Sequence, residues 1–169
     1  MPEDGAKPVN VAVLADAGSR LSLAIPVERL ERIAGLLASR EGMVSGSVAF
    51  SREEGRIVAE VELSASLWLR CQRCLQGLLL PIRSRSRVVL LANEEEAAGV
   101  PPELETALAP EGRLRPADLV EEELLLALPA APRHAGSCPD GRRSGMQEND
   151  LQTQRPFAGL GELLGRPKH

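Results

Sequence analysis

The sequence predicts an α+β fold: an antiparallel β meander, or partly closed sheet, with two packed helices and an extended C-terminal tail. Three observations carry this. Arg56 to Arg70 alternates apolar and polar residues over most of its length. Pro116 to Leu128 sets apolar residues at helical spacing behind an opening proline, and Pro129 closes the run. From Pro129 onward Pro, Gly, Ser, Arg and Gln take over from the apolar residues.

In chain order, residues 1–8 read as a disordered leader. Asn10 to Ala15 is a short apolar run, and Arg20 to Ile25 alternates Leu21, Leu23 and Ile25 after a Gly18-Ser19 turn; both read as strands. Pro26 to Ser39 reads as a helix. Pro26 suits its first turn, and Val27, Leu30, Ile33, Ala34 and Leu37 recur at spacings of three and four. Val44 to Phe50 alternates again and leads to a turn at Glu53-Glu54-Gly55. In Arg56 to Arg70, Ile57, Ala59, Val61, Leu63, Ala65, Leu67 and Leu69 share one face. Arg56, Glu60, Glu62, Ser64, Ser66, Trp68 and Arg70 share the other, the pattern of a sheet with water on one side. Leu78 to Ala92 is a further strand and Asn93 to Gly112 an acidic loop. In the second helix, Asp118 lies in the first turn, and Leu124, Leu125 and Leu128 face the sheet. The expected division is a leader at 1–8, one α+β domain at 9–135, and an irregular tail at 136–169 with a short helix over Phe157 to Leu164.

The 169 residues make about one domain. One Trp, two Phe and no Tyr leave the core to aliphatic residues and exclude a base-stacking sheet of the RNA-recognition-motif type. A net charge of −4 argues against a globally basic nucleic-acid binder. No apolar run approaches the roughly 18–20 residues of a membrane-spanning helix. The start, Met1-Pro2-Glu3-Asp4-Gly5, lacks the basic and apolar regions of a signal peptide, and the expected location is the cytoplasm.

Three features could carry chemistry. Cys71-Gln72-Arg73-Cys74 presents two thiols at the spacing of half a zinc site. His134 and Cys138 repeat a chelating spacing, so Cys71, Cys74, His134 and Cys138 would complete a Cys₃His tetrahedron around a structural zinc. Two other readings stay open: unmetallated thiols beside a hairpin, and a Cys71/Cys74 redox pair. The second feature is cationic. Arg83, Arg85 and Arg87 alternate with serines, so a strand projects all three to one side, and Arg70 and Arg73 lie just before it. That row suits phosphate oxygens, and Trp68 is placed to stack on a base. The alternative is a solvated sheet face guarded against edge aggregation. The third is acidic: residues 92–123 hold ten acids against Arg113 and Arg115, a block that either docks a basic protein or keeps a loop and helix in solution. No phosphate-cradling glycine loop, Ser/His/Asp arrangement or dinucleotide fingerprint is present, and His occurs only at 134 and 169. The residues suggest neither an enzyme nor a small-molecule substrate.

Leu69-Arg70-Cys71-Gln72-Arg73-Cys74 resembles the cysteine motif of the YceD family. So does the block from Asp118 to Pro129, followed by Pro132-Arg133-His134 and then Cys138. Arg155-Pro156-Phe157-Ala158-Gly159-Leu160 is similar to the family's closing motif, with Arg155 where the family has Asn. The resemblance implies a non-enzymatic factor for large-subunit (23S) rRNA accumulation, processing or ribosome assembly. Its partners would be large-subunit rRNA or a pre-ribosomal particle, and a large-subunit ribosomal protein. It also implies zinc at the cysteine site, although the extra C-terminal cysteines of other members are missing here. On this reading Trp68, Arg70, Arg73, Arg83, Arg85 and Arg87 contact RNA; on the adaptor reading that competes with it, the acidic block and Phe157, Leu160, Leu163 and Leu164 dock a basic ribosomal protein. The competing functions are a protein-docking adaptor on a ribosomal protein and a thiol redox protein.

Overall fold

The computed structural model describes residues 2–139. Its centre is a five-stranded sheet ordered β2-β3-β4-β5-β6, formed by Arg20–Pro26, Met43–Glu53, Arg56–Arg70, Gly77–Leu91 and Glu105–Leu108. The first three pairings are antiparallel and run in sequence order, which is the expected meander; β6 joins β5 in parallel. A small second sheet pairs β1 (Val9–Asn10) with β7 (Arg113–Leu114). Two helices, α1 (Val11–Asp16) and α2 (Pro116–Ala127), complete the fold. No helix among the described residues is long and apolar enough to cross a membrane.

The alternation in β4 sets the layers. Ala59, Val61, Leu63, Leu67 and Leu69 are buried against α1, α2 and the segment from Val27 to Leu37. Over much of the opposite face, Ser22, Ser45, Ser64, Ser66 and Trp68 meet solvent. β3 and β4 are joined by Glu54 and Gly55, both at positive φ (49° and 81°). That is the two-residue turn whose twist matches the strands, and glycine takes its second position without a Cβ clash. β4 and β5 are 15 residues each, and the Cys71–Gln76 loop caps the hairpin at its far end.

Four expectations are corrected. Asn10 to Ala15 is not a strand beyond Asn10. The Asn10 side chain accepts from the Val13 N–H, and a Gly18 at φ 56° lets the Gly18 and Ser19 amides return to Ala15 and Leu14, so capping at both ends makes a short helix. Pro26 to Ser39 is not a helix but two isolated 3₁₀ turns, Val27–Arg29 and Ala34–Leu36. Val27, Leu30, Ile33 and Leu37 are buried as the periodicity requires. However, the Arg32 amide bonds to Glu121, Leu37 bridges Leu69, and the Ala38 amide reaches the Trp68 carbonyl. Those tertiary bonds replace the helical ladder, which Gly35 already weakens. The expected loop at 93–112 contains β6, with residues 92–104 as the crossover that a parallel pairing needs. In the leader, Glu3 bridges β2 and the Gly5 carbonyl accepts from Ala117, so these residues satisfy an open strand edge and the first turn of α2.

Candidate metal centre and cationic face

Two hydrogen bonds shape the Cys71–Gln76 loop: the Leu75 amide returns to the Cys71 carbonyl at 2.9 Å, and the Cys71 amide to Gln76 at 2.9 Å. This tight turn puts Leu75 at φ 64° and leaves both thiols facing one side. The chain leaving α2 then docks on the turn, where the Gln72 amide donates to the Pro132 carbonyl at 2.8 Å. That contact delivers His134 and Cys138. One donor atom from each of Cys71, Cys74, His134 and Cys138 lies within 4.8 Å of the others, close enough for a single ion to bridge. These are the four residues whose spacing suggested a metal site.

The histidine is oriented. Its Nε2 lies 3.3 Å from the Gly77 carbonyl, which can only accept, so Nε2 carries a hydrogen and Nδ1 is the ring atom turned to the cluster. Nδ1 is 3.6 Å from the Cys74 Sγ. A tetrahedral zinc with Zn–S of about 2.3 Å and Zn–N of about 2.0 Å separates sulfur and nitrogen by about 3.5 Å. Arg73 Nε donates to the Cys138 Sγ at 3.0 Å, and the same guanidinium reaches the Gly136 and His134 carbonyls. Arg73 is thus a clamp across the two half-sites, a role that the spacing did not reveal. Burial pushes the Cys71 thiol up, but amide hydrogen bonds from Cys74, Arg73 and His134 overcome it and bring it down to about 5. Burial likewise opposes ionisation of Cys138, and Arg73 overcomes it to hold that thiol below its ordinary value. Cys74 is raised by burial. The hydrogen bond with Cys138 raises His134.

On the open face, the β4–β5 register sets Arg70 opposite Gly77, Trp68 opposite Leu79, Ser64 opposite Arg83, Glu62 opposite Arg85 and Glu60 opposite Arg87. Arg83, Arg85 and Arg87 do project to one side and are exposed. Their charges are not all free. Arg85 pairs with Glu60 and Glu62, Arg87 with Glu53, and Arg73 is turned into the cluster. Among the described residues Arg70 and Arg83 carry no ion pair. Between them lies an apolar pair, Trp68 at 44% exposure and Leu79 at 52%. A Cβ at position 77 would lie 3.4 Å from the indole, so Gly77 keeps the ring close to the strand. Phe157, Leu160, Leu163 and Leu164 lie outside the described residues.

Residues 59–164 match the family model described as large ribosomal RNA subunit accumulation protein YceD. The chain belongs to the YceD family. No solved structure matches it significantly. The YceD match opens within β4 and takes in the Cys71–Gln76 loop, β5, α2, His134 and Cys138. Every candidate metal ligand and every candidate RNA contact thus falls within the YceD region. Its description names accumulation of the large-subunit RNA rather than a reaction.

Proposed function

We propose that this YceD protein acts in the cytoplasm as a non-enzymatic factor and supports large-subunit rRNA accumulation by laying its open sheet face on rRNA or a pre-ribosomal particle. The observation that carries the reading is the pair Arg70 and Arg83, without ion pairs among the described residues, on either side of the exposed Trp68 and Leu79. A guanidinium binds phosphate oxygens bidentately, and an indole face stacks on any base. Arg85 and Arg87 sit in exposed ion pairs worth about 1 kcal/mol or less, so they can exchange carboxylate for phosphate. The test is co-sedimentation with large-subunit precursors in cell extracts. The full chain is expected in those fractions and the Arg70→Glu/Arg83→Glu variant outside them; unchanged sedimentation would reject the face.

Cys71, Cys74, His134 and Cys138 would hold zinc, which supplies a structural cross-link between the β4–β5 hairpin and residues 132–138. The 3.6 Å separation, the oriented histidine and the lowered Cys71 and Cys138 thiols all support this reading. Arg73 offsets the net negative charge of three thiolates around a dication. Elemental analysis of natively purified protein should find zinc in stoichiometric amount. The lowered Cys71 thiol is also what a redox pair would need. A reversible Cys71–Cys74 disulfide in metal-free native protein would favour that second reading. A metal-filled, unreactive site would exclude it.

A further inference from the structure

On the helix side of the sheet, α2 and the edge strand β6 border a cleft of about 260 Å³. Val88 and Leu119 line it, Leu126 stands 67% exposed beside them, and Glu105, Glu122 and Glu123 surround them. Two polar groups here lack what burial normally demands. Glu123 is only 7% exposed, takes a hydrogen bond from the Ser84 hydroxyl, and has no cation on it among the described residues. Ser86 Oγ is buried with no hydrogen-bond partner among the described residues. A buried carboxylate normally carries a cation, and an unsatisfied buried hydroxyl costs about 1–3 kcal/mol. The strand beside them is also open. Glu3 bridges the β2 edge of the sheet, whereas the outer edge of β6 is unpaired among the described residues.

We propose that this cleft docks an extended, basic segment of a protein partner, which runs alongside β6 and places one arginine or lysine side chain on Glu123. The long aliphatic stem would lie on Val88, Leu119 and Leu126, as such stems do on apolar surface. The cationic head meets Glu123, a buried carboxylate with no cation on it among the described residues, and Ser86 Oγ takes an N–H. An added strand supplies main-chain bonds to β6, and the pocket selects the side chain. RNA does not fit here, because Glu105 and Glu123 repel phosphate and Glu122 already pairs with Arg32. The proposal stands independently of the rRNA face, which lies on the other side of the sheet.

The probe is a short synthetic peptide alternating arginine with valine and threonine, with a control that carries glutamate for arginine. Both are titrated into the isotopically labelled full chain. Expected are salt-sensitive binding of the basic peptide and amide shifts confined to Ser84–Val88, Glu105–Leu108 and Glu122–Leu126. Glu123→Gln should weaken binding about tenfold, the scale of a lost charge-assisted pair. Leu126→Arg, at an exposed position that leaves folding intact, should weaken it comparably by repulsion. The proposal is overturned if the full chain does not bind the peptide, if the glutamate control binds equally, if both variants bind like wild type, or if the shifts fall on the Arg83 face.

Discussion

Leu75 holds a backbone conformation that L-residues avoid, at φ 64° in the loop carrying two candidate metal ligands. Its side chain is largely exposed, so little burial compensates. The left-handed region costs a β-carbon residue roughly 1–2 kcal/mol, and glycine returns part of that through its larger unfolded-state entropy. Leu75→Gly is therefore expected to stabilise the protein by up to about 1 kcal/mol, read as a higher denaturation midpoint. Gly46 illustrates the reverse constraint, since a Cβ there would meet the Glu62 carbonyl at 2.7 Å. Gly46→Ala should destabilise by about 1–3 kcal/mol in the same assay. For Arg73, replacement by Ala removes the guanidinium from the Cys138 sulfur and from two carbonyls. Zinc affinity should fall about 10–100-fold in chelator competition, the usual effect of losing an outer-shell partner. The four candidate ligands were legible because chelation imposes spacing on a sequence. Arg73 was legible only as a charge, since a clamp on sulfur and carbonyl oxygens leaves no pattern along the chain.

Among the elements, the segment after α2 meets the β4–β5 hairpin at the Cys71–Gln76 loop and at Gly77. Removing metal with a chelator should release residues 132–139 while β3 and β4 stay paired. Hydrogen exchange would show it as lost protection at the Gln72 amide, which donates to Pro132, with the Val48 and Val61 amides unchanged. The elements best read from sequence are those whose pattern and surroundings agree. β4 spans the expected Arg56 to Arg70, and α2 begins at the expected Pro116. Residues 26–39 carry a helical repeat, yet their amides and carbonyls are claimed by Glu121 and the end of β4, partners remote in sequence. β6 is four residues long among acids, and its existence depends on the free edge of β5 rather than on its own alternation. For α1 the signals were present, in Asn10 and Gly18, but the apolar run between them fits a strand equally well.

At the scale of the molecule, opposite chemistries occupy opposite sides of one sheet. Arginines meet solvent across from Glu105, Glu122 and Glu123, which explains how a chain of net charge −4 presents a cationic face. The face is held in check by its own carboxylates. Glu60→Gln/Glu62→Gln should free Arg85 and tighten RNA binding, whereas Arg83→Ala should weaken it and lower the slope of log K against log salt by about one. Filter binding across a salt series reads both. The cluster has a further consequence in the language of polymer loops. Cys74 and His134 are 60 residues apart, and the chain between them contains β5, β6, β7 and α2. A metal ion joining those two residues would close about half the described fold into a ring. By the loop-entropy relation for a cross-link of that span, the ring is worth about 4 kcal/mol. That stabilisation acts by denying the unfolded chain its freedom, without adding a single packed contact to the native one.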